Sequence, residues 1–217
     1  VVLSFDGHKV LIDTPPDFRT QALRAHLDRV DAILFTHSHA DHIMGLDDVR
    51  PYNFIHRSRI PIYGAGDTIE TIRRVFHYIF DERQQTTFIP QLDATVLDEK
   101  PVELFGVKFQ PIPIFHGRAR IYGYRFGNAA YLTDHSTIPD ESMEMLLGLD
   151  VLFLDALRHK PHPTHSTVAA SIETVRRLKP KRAFFTHISH DLAHAATQAT
   201  LPPGIEMAYD GLEIDVE

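Results

Sequence analysis

Within ten residues, Thr36-His37-Ser38-His39-Ala40-Asp41-His42-Ile43-Met44-Gly45 brings together four side chains of metal-ligand type. His37 and His39, two apart in extended backbone, project to the same side. Asp41 and His42 fall where the chain turns toward a helix and can address a second point, so the pattern predicts a dinuclear metal site. Imidazole and carboxylate donors suit Zn, Mn or Fe, and the lack of thiolates argues against a closed structural zinc site. Open coordination positions are therefore expected. A lone His-x-His would carry little weight; a run of His-x-His-x-Asp-His carries much more.

Those side chains need rigid elements behind them. Asp31-Ala32-Ile33-Leu34-Phe35 is a short apolar run of buried-strand character that ends where the ligands begin, and Gly45 closes the stretch. Upstream, Val1 to Phe5 and Lys9 to Ile12 read as a hairpin turning at Asp6-Gly7. Asp13 follows directly, as an acceptor for a metal-bound histidine or as a turn residue before Thr14-Pro15-Pro16. A surface helix is predicted over Asp17 to Leu27. Arg50 can bind phosphate through its planar fork or pair with Asp47 and Asp48. Asp67-Thr68-Ile69-Glu70 has the pattern of a capping box for a helix running to about Phe80, with His77 as a structural residue within it.

From Leu92 to Leu132 the pattern is of strands, at 102 to 105, 107 to 114, 121 to 126 and 129 to 132, with turns at Gly106 and Gly127-Asn128. His116 and Asp134 each stand just beyond an apolar strand, as His37 does. The last third alternates strand and helix: Val151 to Leu154, Ser166 to Leu178, Arg182 to Phe185, a short helix near Leu192 to Thr197, then strands over Ile205 to Ala208 and Leu212 to Val216. Asp155 and His187 sit at strand ends, and Pro161-His162-Pro163-Thr164-His165-Ser166 is a stiff loop presenting two histidines before a helix. The fold class is α/β.

The chain of 217 residues, with a net charge of −7, has the composition of a globular domain and no basic cluster that would mark a nucleic-acid surface. It reads as a single domain over residues 1–217. With no cysteines, disulfides and thiol nucleophiles are excluded. No stretch reaches the roughly 20 apolar residues of a membrane span; the cytoplasm is the default compartment. The sequence opens without Met and as if inside a strand, so an N-terminal strand is expected to be lacking.

The ordered set His37-x-His39-x-Asp41-His42, His116, Asp134, His187 resembles the metallo-β-lactamase superfamily along nearly the whole chain. The resemblance implies a four-layer αβ/βα sandwich and two divalent ions, Zn or Mn with Fe as a third candidate. It implies His37, His39, His116 and Asp134 on one ion, and Asp41, His42, Asp134 and His187 on the other, with Asp41 also catalytic. The lone Asp134 at the shared position favours phosphodiester or ester hydrolysis.

Three stretches, Gly45-Leu46-Asp47-Asp48-Val49-Arg50, Thr186-His187-Ile188-Ser189-His190 and Tyr209-Asp210-Gly211-Leu212-Glu213-Ile214, look similar to the phosphoribosyl 1,2-cyclic phosphate phosphodiesterase family. Thr164-His165-Ser166 matches where that family keeps its catalytic histidine. The expectation is therefore a phosphodiesterase acting on small cyclic phosphodiesters, with water activated by the two ions as nucleophile. His165 would be the acid for the leaving group. Arg50, Ser166 and His190 are candidate substrate contacts, and Asp13 and Asp155 candidate supports of the ligands. The alternatives are a tRNA 3′-processing nuclease, which shares His165-Ser166-Thr167, a lactonase or thioesterase on the same scaffold, and a metal-binding protein without activity. A small-molecule partner is expected, without membrane or nucleic acid, and with a homodimer as the candidate assembly.

Overall fold

The computed structural model describes residues 1–81, 83 and 89–216. They divide into two compact units, one of residues 1–100 with 104–106 and the other of residues 101–103 with 107–217.

In the first unit β1 (Val2–Phe5) and β2 (His8–Ile12) form the predicted hairpin, and β2, β3 (Ala32–Leu34), β4 (Ile60–Gly64) and β5 (Leu92–Val96) follow in parallel in the sheet order β1-β2-β3-β4-β5. Parallel strands are buried on both faces and so read as continuous apolar runs. Val10, Leu11, Ile12 and all of β3 obey this, each at most 1% exposed. Helices α1 (Phe18–Arg24), α2 (Ala40–Ile43), α3 (Arg50–His56), α4 (Gly66–Val75) and α5 (His77–Phe80) complete the unit, with a 3₁₀ turn at Leu46–Val49. Phe18, Phe35, Leu46, Ile62 and Ile72 share its core.

The second unit carries a seven-stranded sheet in the order β12-β11-β10-β9-β8-β7-β6: β6 (Val102–Leu104), β7 (Val107–His116), β8 (Ala119–Phe126), β9 (Ala129–Leu132), β10 (Val151–Asp155), β11 (Arg182–Thr186) and β12 (Ile205–Met207). Strands β7, β8 and β9 are antiparallel, while β9 through β12 run parallel, joined by crossovers that include α6 (Asp140–Met145), α7 (Val168–Leu178) and α8 (His194–Gln198). Val168, Ser171, Val175 and Leu178 keep helical spacing on the buried side of α7. No helix among the described residues is long and apolar enough to cross a membrane.

Several predicted boundaries move for local reasons. The helix near Ser166 starts at Val168, because Thr167 caps it by accepting a hydrogen bond from Ala170 N at 3.2 Å. The capping box at Asp67 does not form. The helix begins earlier, with Ala65 as its cap residue, and Asp67 instead accepts from the adjacent Thr68 N at 2.7 Å. The predicted run to Phe80 breaks at Phe76 (φ −105°, ψ 39°), leaving His77 exposed at the start of α5. Residues 212–216 form no strand.

Gly45 closes the ligand-bearing stretch against residues 13–15. Thr14 N donates to His42 O at 2.7 Å and Gly45 N donates to Thr14 O at 2.9 Å. A Cβ at Gly45 would stand 2.1 Å from Pro15 O and 2.7 Å from Phe18 Cβ, whereas a Cβ at Gly7 would meet nothing within 4 Å. Gly45 has φ −86°, so alanine there is limited by space and not by backbone preference. Gly45→Ala is expected to cost about 3 kcal/mol through overpacking. Gly7→Ala, whose difficulty is its positive φ, should cost only about 1 kcal/mol. Urea unfolding of the two variants checks this order, and equal losses would contradict it.

Candidate functional site

Three of the site residues occupy left-handed backbone just past the end of a strand: Asp13 after β2 (φ 62°), Asp134 after β9 (φ 54°) and His187 after β11 (φ 55°). Asp and His are among the few side chains that tolerate this region. The reversal carries each functional group out of the strand's alternation and toward the sheet's end, a distortion that costs of order 1–3 kcal/mol and is typical of functional positions.

In the first unit His37, His39, Asp41, His42 and Asp13 come together. Asp13 is 7% exposed; its Oδ1 accepts from Thr36 N at 2.8 Å, and its Oδ2 accepts from Thr36 Oγ1 at 2.8 Å and lies 2.7 Å from His42 Nδ1. A buried carboxylate here calls for an N–H donor, so His42 carries its proton at Nδ1 and keeps Nε2 as a donor atom for a metal. Asp41, on the outer side of α2, places Oδ2 3.4 Å from that Nε2. His37 Nε2 and His39 Nδ1 converge to 3.0 Å, with Thr36 Oγ1 3.0 Å from His37 Nδ1.

In the second unit Asp134, buried to 2% exposure, has Oδ2 3.3 Å from His187 Nε2. Thr133 Oγ1 donates to Asp134 Oδ1. His116 is oriented by the Thr164 carbonyl, 2.9 Å from its Nδ1. The glycine after it makes that approach possible, because a Cβ on Gly117 would lie 2.8 Å from Thr164 Cγ2. Behind these groups stands Asp155, fully buried, with Oδ2 3.0 Å from His165 Nδ1 and Oδ1 3.7 Å from His187 Nδ1. The second distance is too long for a hydrogen bond but short enough for electrostatic attraction.

Burial pushes the Asp155 carboxyl up, but the imidazoles of His165 and His187 outweigh it and hold the group below the usual carboxylate range. His135, beside Asp134, is 3% exposed, and burial lowers its imidazole to about 4 against the pull of Asp155 and Asp134. It is therefore neutral at pH 7.

The remaining candidates are not gathered with these groups. Arg50 is exposed on α3. The His190 side chain is 96% exposed, 3.6 Å from Asp191. Ser166 is 6% exposed and accepts from Ser171 Oγ at 2.8 Å. Sequence reasoning passed over Thr36, Thr133, Thr164 and Ser171 as supports. A signal was present, since Thr36-His37, Thr133-Asp134 and Thr186-His187 each set a threonine just before a strand-end ligand type.

The donor set fits divalent ions. Nitrogen and carboxylate oxygen donors without sulfur suit Zn, Mn or Fe. Within the second unit, ligand atoms of His116, Asp134 and His165 lie within 4.8 Å of one another. Asp155 Oδ1 is buried without a hydrogen-bond partner among the described residues, so positive charge nearby would be welcomed there.

Residues 8–188 match the family described as the Beta-lactamase superfamily domain. The chain belongs to the metallo-β-lactamase superfamily. It has that superfamily's α/β fold, the class that the strand and helix alternation predicts. A crystal structure described as a new diphosphatase from the PhnP family is 53% identical and superposes with a TM-score of 0.93, covering 100% of this chain and 83% of that one. The short form of human tRNase Z (ELAC1) shares the fold at 20% identity and a TM-score of 0.77, over 100% of this chain and 91% of that one. A Porphyromonas gingivalis protein named Octanoyltransferase is 36% identical over 100% of this chain, which spans only 44% of that protein's length.

Asp13→Asn keeps a side chain that tolerates left-handed backbone and an oxygen for the Thr36 amide, but it removes the negative charge opposite His42. Divalent-metal affinity should fall about 10- to 100-fold with little change in unfolding midpoint. Titration against a chelator indicator checks this, and unchanged affinity would separate Asp13 from metal binding.

Proposed function

We propose that the protein is a metal-dependent hydrolase, a phosphodiesterase acting on small phosphodiesters, cyclic ones foremost, with His37, His39, Asp41, His42, His116, Asp134 and His187 as ligands of two divalent ions. The observation that carries the reading is the pairing of His165 with the fully buried Asp155 at 3.0 Å, beside the His116 and Asp134 donors. Its 53% identical relative, described as a diphosphatase, supports phosphoester chemistry, and the net charge of −7 favours a small substrate over a polynucleotide.

When bound, divalent ions lower the pKa of water toward neutrality and neutralise phosphate oxygens. The residues of the chain do the rest. Asp155 accepts the Nδ1–H of His165, which fixes the ring and its tautomer. Nε2 is then the atom from which a proton passes to the departing alkoxide, and general acids of this kind contribute about 10² to 10⁴ in rate. Asp41, its carboxylate largely exposed, accepts the proton of the attacking water in this reading. A lactonase or thioesterase on this scaffold would not need His165.

His165→Ala should keep its metal and fold, yet lose about 10²-fold or more in turnover on a phosphodiester with a poor alkoxide leaving group. On bis-p-nitrophenyl phosphate, whose phenolate departs unprotonated, the loss should be much smaller. Parallel kinetics with metal analysis checks this. Loss of metal would make His165 a ligand, and wild-type rates on both substrates would remove it from the mechanism.

A further inference from the structure

Next to His165 lies a histidine that the proposed mechanism does not use. His162 stands between Pro161 and Pro163, whose rings fix φ and bias the preceding residues to extended backbone. Arg158 pins the same loop, donating from Nη2 to Pro161 O at 2.9 Å and from Nε to Lys160 O at 3.2 Å. The loop is thus stiff for reasons unrelated to the His162 side chain.

The tautomer of His162 follows from its partners. Thr164 N donates to His162 Nδ1 at 3.3 Å, and Thr164 Oγ1 lies 3.2 Å from the same atom. A backbone N–H can only donate, so Nδ1 must accept and the ring proton resides on Nε2. Partial desolvation, then the neighbouring His165 and Arg158, lowers its pKa, which disfavours a second proton. The ring centroid is 4.9 Å from that of His165, which in turn lies 4.6 Å from His116 and 4.7 Å from His187. The rings therefore run outward from buried Asp155 through His165 to half-buried His162, and a leaving group protonated by His165 would extend along this row.

We propose that His162 is a substrate-positioning residue whose Nε2–H donates to an oxygen of the leaving group beyond the ester oxygen that His165 protonates. This rests on the phosphodiesterase reading above. The ligand class is a phosphodiester whose leaving group carries a further oxygen acceptor, either a sugar hydroxyl or a second phosphoryl oxygen. A leaving group with neither a hydroxyl nor a phosphoryl oxygen beside the ester oxygen leaves the donor unused.

His162→Asn keeps an acceptor near the Nδ1 position for Thr164 but removes the distal N–H, and His162→Gln returns an amide N–H close to Nε2. The probes are a ribose cyclic phosphate, a nucleoside diphosphate sugar and bis-p-nitrophenyl phosphate. With metal content and unfolding midpoint unchanged, the Asn variant should lose about 10-fold in kcat/KM, chiefly through KM, on the first or second probe but not on the third, and Gln should recover most of it. The probe that responds tells the hydroxyl from the phosphoryl acceptor. Equal losses on all three probes, or none, would overturn the proposal, since a residue that only braces the loop would act on every substrate alike. Imidazole ¹⁵N spectra of the wild type give a readout that needs no turnover: Nε2–H is expected, and an Nδ1–H tautomer would overturn it. A wild-type protein inactive on all phosphodiesters would instead remove the underlying functional reading, and this one with it.

Discussion

Burial of carboxylates at strand ends is the constraint on which the site depends. Asp13 in the first unit and Asp134 and Asp155 in the second are 7%, 2% and 0% exposed. An ionised carboxylate taken out of water is unstable unless donors or positive charge surround it. Each of the three has a histidine close by: His42 against Asp13, His187 against Asp134, and His165 against Asp155. In the Asp13–His42 and Asp155–His165 pairs the acid takes the Nδ1 proton and so leaves Nε2 to face a metal or a substrate, whereas Asp134 Oδ2 and His187 Nε2 approach each other as two donor atoms. Removing an acid would leave its histidine free to rotate or change tautomer, with the ligand atom lost even though the residue remains.

The backbone stores the complementary cost. Asp13, Asp134 and His187 hold left-handed conformations at strand ends, and threonine hydroxyls donate to the two aspartates. Gly45 against Pro15 and Gly117 against Thr164 act alike in the two units. In each, a missing Cβ lets two loops approach closely enough for backbone atoms to orient a ligand-bearing segment.

Much of this was legible in the sequence. The ligand types at 37, 39, 41, 42, 116, 134 and 187 follow apolar runs, and buried parallel strands announce themselves by such runs because both faces are covered. The supports were harder to see. Thr36 and Thr164 act through contacts with residues far along the chain or through a main-chain carbonyl, and neither leaves a periodic trace. The helix predicted through to Phe80 and the strand predicted over Leu212 to Val216 failed for a different reason. Apolar spacing reports which side of a segment can be buried, but not whether the backbone at Phe76 stays helical or whether a neighbouring strand is there to pair with residues 212–216. Ser166 looked like a substrate contact through its position beside His165, yet its hydroxyl belongs to the Ser171 network beneath.

The central claim is that these strand-end donors hold a pair of divalent ions that share Asp134. Elemental analysis after equilibrium dialysis, made on the wild type and on Asp134→Ala, tests it most directly. The account predicts about two ions per chain in the wild type and weakened binding of both in the variant, because one carboxylate serves both ions. A single ion in the wild type, or an unaltered metal content in Asp134→Ala, would contradict it.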